Sequence, residues 1–536
     1  MSATTAPSGE IPRPHVRYLM TTRGHLHSMK TYVWITLLII AIMTFLYFVL
    51  GIGYPGEPNP PVLGNGPTGA SGLYIADLYF HTIVIGIAAL AAYMVVLAFD
   101  LDKYEPSIDL PLSYRALAAT VLGAVGGFFY LRPVFNTWIA PIPLALIITA
   151  MLLMADVGGA LLVELYLYPG KLTGSYHPEK NVLGMIPPWS NLPTFHDFRR
   201  MDATYWLTFV SVISAFVAGI IGFFALFANL WLSLYGGSPG VSPAFASYLA
   251  HFGMDVATFA GNAMGAHSHL IGYALILGTV GVVAHRFGVM EGTRAQRTLT
   301  RIGVWVAIVG MIGVAVEQTA EAFVAWVPPI LFSNTASNGV LNGWASDDTT
   351  MLVSALGAML LLVPLSLTYM KGRSVWRDPI RAAILGTGIL TFLANAVMGF
   401  YIESNESIYA APGATGDAVF AAVQPFFAIF ILPLVVLGFL ALDFCQESSR
   451  VRTLLATLGG LGATLGTLGM FIYTFYEPST GTLGYWFYVA GLLTVALFIL
   501  VTTFTVLRGR DTRIPSSETN YPLFTKERPA ISPAEA

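Results

Sequence analysis

The chain has 536 residues, of which 55% are hydrophobic and only 10% charged, with a mean hydropathy of +0.69 and a net charge of −3. A soluble domain carries about 25% charged residues, so there is too little charged surface here to clothe a water-exposed globule of this length. The charge balance gives no nucleic-acid footprint, and a single cysteine, Cys445, excludes an internal disulfide and a cysteine-rich metal site. An all-α, polytopic membrane protein is the class that remains.

A helix needs roughly 17–25 apolar residues to cross a bilayer. Twelve such runs are predicted, at 31–53, 73–99, 114–137, 140–168, 203–235, 258–284, 302–330, 349–370, 382–402, 418–442, 453–475 and 484–507. The stretch 244–257 is read as a separate interfacial segment, because one helix from 244 to 284 would far exceed the bilayer thickness. Residues 1–30 form a polar N-terminal segment without a cleavable signal peptide, 31–508 the twelve-helix transmembrane domain, and 509–536 a polar, proline-bearing disordered tail. The loops at 54–72, 236–248, 331–347 and 403–417 are rich in turn-forming residues.

Lysine and arginine test that count. Of the 26, 25 fall before span one, after span twelve, or in or at the edge of the alternate loops between, Arg115 at the very start of span three, and Arg132 alone falls on the other side. Under the positive-inside rule this puts both termini in the cytoplasm, with the chain a multi-pass protein of a prokaryotic plasma membrane.

Six of the ten histidines, His15, His25, His27, His177, His196 and His285, fall at the basic face and read as solvated loop residues; His251 falls in the interfacial segment. His81 in span two and His267 and His269 in span six are different. They share one depth in the outer leaflet, where an imidazole is costly without a hydrogen bond or a metal. Two residues on a helix differ by about 200° of rotation, so His267 and His269 leave opposite flanks and suit ligation on either side better than joint chelation. Haem iron takes axial histidine, and Gly261, Ala263, Gly265, Ala266 and Gly272 allow close approach of a flat macrocycle. The competing reading is that these rings hydrogen-bond between helices.

Four carboxylates fall inside the spans: Asp156 and Glu164 in span four, Glu317 and Glu321 four apart in span seven. No lysine or arginine is expected within the spans to neutralise them, so they read either as a proton path or as neutral acids bonded between helices. Asp77, one turn before His81, reads as a helix-start residue or as a carboxylate orienting that ring.

Twelve spans with a histidine high in span two resemble subunit I of the haem-copper oxidase and nitric-oxide reductase superfamily. Leu73-Tyr74-Ile75-Ala76-Asp77-Leu78-Tyr79-Phe80-His81-Thr82 is similar to that family's haem-ligand segment in span two. Tyr18 to His25 with Met29 and Tyr32 resembles the lead-in to span one, and Met201 to Trp206 with Ser211, Ser214, Ala218, Gly219 and Asn229 resembles span five. The second-metal ligands of the family depart: Glu317-Gln318 stand where paired histidines fall, and Val423-Gln424-Pro425 where His-x-His falls. The resemblance implies a pseudo-threefold helical bundle and a b-type haem subunit of a respiratory electron-transfer complex. It would hold one or two haems b on His81, His267 and His269, with copper not expected. Its implied partners are quinone and neighbouring iron–sulfur or cytochrome subunits. The alternative is a proton-coupled secondary transporter or a redox-inactive scaffold.

Overall fold

The computed structural model describes residues 29–49, 70–101, 106–130, 141–177, 180, 188–235, 242–324, 346–370, 378–398, 425–475 and 483–511. The expectations for 1–28, for the loops around 54–69, 325–345 and 399–424, for Arg132 and for 512–536 lie outside the described residues.

Helices stand at each of the twelve predicted positions. They are α1 (Met29–Val49), α2 (Ala70–Ala98), α3 (Pro106–Tyr130), α4 (Pro141–Thr173), α5 (Ala203–Tyr235) and α6 (Val256–Arg286). They continue with α7 (Arg294–Val324), α8 (Ser346–Met370), α9 (Pro379–Leu393), α10 (Leu432–Asp443), α11 (Ser449–Phe475) and α12 (Leu483–Arg508). A π-helical turn, Ala394–Met398, extends α9, and another, Pro425–Ile431, leads into α10. Among the described residues nine helices are long and apolar enough to cross a membrane, and Thr82–Ala98 and Phe427–Asp443 are shorter apolar helices. The chain is a helical, multi-pass membrane protein.

Local chemistry sets the helix starts. Ser242 accepts from the Phe245 N–H at 3.2 Å with Pro243 in the first turn, beginning a short helix, Pro243–His251. Gly253, at φ +69°, ends that segment in a conformation costly for other residues. Asp255 then caps α6 by accepting from the Thr258 N–H at 2.7 Å. The interfacial segment is thus separate from span six, as the bilayer thickness requires. Thr293 and Gln296 bond each other's backbone N–H at 3.3 and 2.8 Å, a reciprocal cap that starts α7 eight residues before the predicted 302. Arg294, Arg297 and Arg301 are therefore helical rather than loop residues. Span three likewise begins at Pro106 instead of 114, and span four runs on to Thr173 instead of 168.

Without a hydrophobic drive between helices in lipid, close backbone approach supplies the packing. Between α7 and α8, a Cβ on Gly310 would lie 2.3 Å from the Ser354 nitrogen, and one on Gly357 2.2 Å from that of Ala307. Lys30 Nζ donates to the Gly509 carbonyl at 2.5 Å, so α1 begins and α12 ends at one end of the bundle.

At the basic end, buried Asp443 accepts from Arg286 Nε at 2.9 Å and Arg381 Nε at 3.0 Å, while Arg452 Nη2 reaches Asp378 at 2.9 Å. This network ties α6, α9, α10 and α11 together. Cys445–Gln446 pairs antiparallel with Arg510–Asp511. The tail predicted to be disordered from 509 therefore starts with paired residues.

Candidate functional site

Helices α5 and α6 pack antiparallel, and His267 of α6 lies flat on α5. Its Nδ1 stands 2.7 Å from the Ala218 carbonyl oxygen. A carbonyl only accepts, so Nδ1 carries a proton, and in the neutral ring Nε2 holds the lone pair. One turn along α5, a Cβ on Gly222 would lie 2.5 Å from Nδ1 and 2.7 Å from Cε1, so the ring occupies the space that glycine leaves.

His267 forms part of the wall of a cavity of about 250 Å³ among α2, α4, α5, α6 and α10. The rest of the wall is almost wholly apolar, with small residues such as Ala88, Gly158, Ala215 and Gly219 and the half-buried rings of Phe216 and Phe223. Two of its hydroxyls turn back to their own helix: Thr208 donates to the Thr204 carbonyl at 3.0 Å and Ser211 to that of Leu207 at 2.8 Å. Thr279 does not. Its hydroxyl is buried on the wall and has no hydrogen-bond partner among the described residues. A buried, unsatisfied donor of this kind is costly and calls for a partner.

His81 lies in α2, but its side chain and that of Asp77 are outside the described residues. Val84, Ile85, Ala88 and Ala92, which follow it on the same helix, line the cavity. His269 does not line it. Asn262, two turns before His269 on the same face of α6, donates to the Glu321 carbonyl at 3.3 Å, so that face meets α7. Of the pair, the cavity receives His267, while the face of α6 that carries His269 meets α7.

The carboxylates divide. Glu317 is buried between α7 and α8 and accepts from the Thr350 hydroxyl at 2.7 Å; Glu321 follows one turn later on α7. The expectation that basic residues are lacking within the spans is corrected for the other two. Arg115 Nη1 pairs with Asp156 at 2.6 Å, and Lys171 Nζ with Glu164 at 2.5 Å. The longer α3 and α4 are the reason. Arg115 is inside α3, and Lys171 in the last turn of α4 reaches back two turns along its own helix, toward whose N-terminus helical side chains lean. The Glu164–Lys171 pair is buried, whereas Asp156 and Arg115 are exposed on the bundle's flank.

A further constellation lies at the basic end of α5 and α6. His285, read from the sequence as a solvated residue, stacks on Phe99 with ring centroids 4.0 Å apart and sits 3.1 Å from the Thr204 hydroxyl and 3.7 Å from Asp202. Burial pushes the Asp202 carboxyl up. The nearby His285 ring, the Thr204 hydroxyl and the Tyr205 N–H outweigh it and hold the group at about 2.

Among the described residues no three or more His, Cys, Asp or Glu side chains converge as a metal site. A single imidazole over an apolar cavity suits a metal that brings most of its own ligands, as iron in a porphyrin does. Comparison of the chain with family models, with curated proteins and with solved structures gives no match.

Proposed function

We propose that the chain is a b-type haem-binding subunit of a respiratory electron-transfer complex. In this reading it has twelve spans and both termini in the cytoplasm of a prokaryotic cell, on a scaffold like that of haem-copper oxidase and nitric-oxide reductase subunit I. One observation carries the reading: His267, with Nδ1 anchored on the Ala218 carbonyl, presents the iron-ligating tautomer at the wall of a glycine-lined apolar cavity. A second-shell carbonyl of this kind fixes ring orientation and raises ligand basicity.

The residues fit such a group in donor type and in polarity. Haem b bound there supplies a one-electron carrier. His267 would hold it from α6 and His81 from α2, and the apolar walls would exclude water. The cavity, at about 250 Å³, is below the roughly 300–1,000 Å³ of cofactor pockets, so a macrocycle there requires the wall to open. Quinone and adjacent iron–sulfur or cytochrome subunits are the partners this role calls for. Haem content of the purified protein tests it. Wild type carries stoichiometric haem b and His267→Ala loses it, while a His267→Ala protein with full haem content overturns the assignment.

Buried Glu317 supports a second reading, a proton-coupled carrier, with a redox-inactive scaffold beside it. Under the carrier reading Glu317→Gln abolishes coupled uptake and His81→Ala does little.

A further inference from the structure

Between α4 and α5 the described residues 174–177 and 188–202 form a collar against the last turns of α4. Asp197 fixes it, accepting from the Thr173 hydroxyl at 2.8 Å, the Ser175 hydroxyl at 3.1 Å, and the Thr194 hydroxyl and N–H at 2.8 Å each. Buried Asn191 closes the other side: it accepts from the His177 N–H at 2.9 Å and donates to the His177 carbonyl at 2.8 Å. A segment held this firmly nevertheless leaves two large rings outside. Trp189 is 92% exposed and Phe195 77%.

The surroundings of those rings are basic. Lys180, His196, Arg199 and Arg200 are exposed, and Asp197, the one acid among the described residues from 174 to 201, is buried. The patch also continues onto the flank of the bundle. Phe198 meets Tyr166 of α4 at 5.4 Å and Trp206 of α5 at 5.8 Å between ring centroids, and Tyr166 and Leu172 are exposed on that flank. Aromatic rings at the level of the helix ends, interleaved with arginine, match a boundary that is apolar on one side and anionic on the other.

We propose that this collar is a membrane-surface foot, with Trp189 and Phe195 seated among lipid headgroups and Arg199 and Arg200 selecting anionic phospholipid. Its occupant is the bilayer that surrounds the spans, because the exposed rings run on from a flank the spans already turn to lipid.

The test uses the full-length chain, whose one cysteine, Cys445, is buried. Trp189→Cys and Phe195→Cys are each labelled with a nitroxide in nanodiscs of phosphatidylcholine alone or mixed with phosphatidylglycerol. Molecular oxygen should reach both labels more readily than a water-soluble nickel chelate, and the contrast should grow with phosphatidylglycerol. Greater access by the chelate at both positions would show a water-facing surface suited to a soluble partner and would overturn the proposal. Arg199→Gln and Arg200→Gln, at exposed positions that leave the Asp197 network intact, should each weaken the preference for phosphatidylglycerol over phosphatidylcholine about fivefold in native mass spectrometry. An unchanged preference in the double variant would remove the assigned selectivity.

Discussion

Gly222→Ala against Gly219→Ala is a matched test of how His267 is seated. At 222 the new methyl would stand 2.5 Å from the ring's Nδ1, about 1 Å inside the roughly 3.5 Å of an ordinary contact. The ring or the helix must yield, at about 1–3 kcal/mol for overpacking. If the ring swings off α5, its Nδ1–H also loses the Ala218 carbonyl, at about 1 kcal/mol or more. Replacing glycine by alanine in a helix returns about 1 kcal/mol, leaving a net loss of about 2 kcal/mol. At 219, on the cavity wall, a Cβ has nothing within 4 Å, so the fold gains only the favourable helix term. Stability is read by detergent-titrated unfolding in mixed micelles. The helix term is common to both variants, so Gly222→Ala should be less stable than Gly219→Ala by about 3 kcal/mol. Equal stability of the two variants would refute the seating of His267 described above.

Lys171→Met strands the buried Glu164 carboxylate and should cost about 3–5 kcal/mol, while Glu164→Gln with Lys171→Met should recover most of it, measured by the same unfolding assay. The Asp197 carboxyl is raised by desolvation but lowered more by its bonds from Thr173, Thr194 and Ser175, which hold it at about 2 instead of 3.8. Its contribution is therefore complete above pH about 4 and is lost as pH falls through about 2. Amide exchange of residues 191–200, corrected for intrinsic rates, should show that loss in wild type and lack it in Asp197→Asn. Glu317→Gln keeps an acceptor for the Thr350 hydroxyl and should leave haem content unchanged. Loss of haem in that variant would place the cofactor near α7 instead.

What was legible in the sequence was what depends on local order. The break before α6 was legible from the length of the apolar run, though Gly253 and the Asp255 cap that make it were not singled out, and the opposite-flank placement of His267 and His269 follows from helical rotation alone. What escaped depends on distance in the chain or on helix ends. Lys171 looked like a loop cation because its apolar run stops before the helix does, and Arg115 because it stands at the edge of its predicted run, whose helix starts two turns earlier. Arg286, Arg381 and Arg452 were legible as positive charge at one end, yet their convergence with Asp443 and Asp378 needs four helices brought together. The stacking of His285 on Phe99 joins residues 186 apart in sequence. The seat of His267 required Gly222 on another helix to be recognised as its complement, and no spacing within span six encodes that.

The most direct measurement is a dithionite-reduced minus air-oxidised absorbance spectrum of the purified, monodisperse protein. An α-band of a b-type haem in wild type, absent from a folded His267→Ala variant, is the predicted result. A flat difference spectrum from folded wild-type protein expressed with ample haem would contradict the assignment of the cavity to an iron porphyrin.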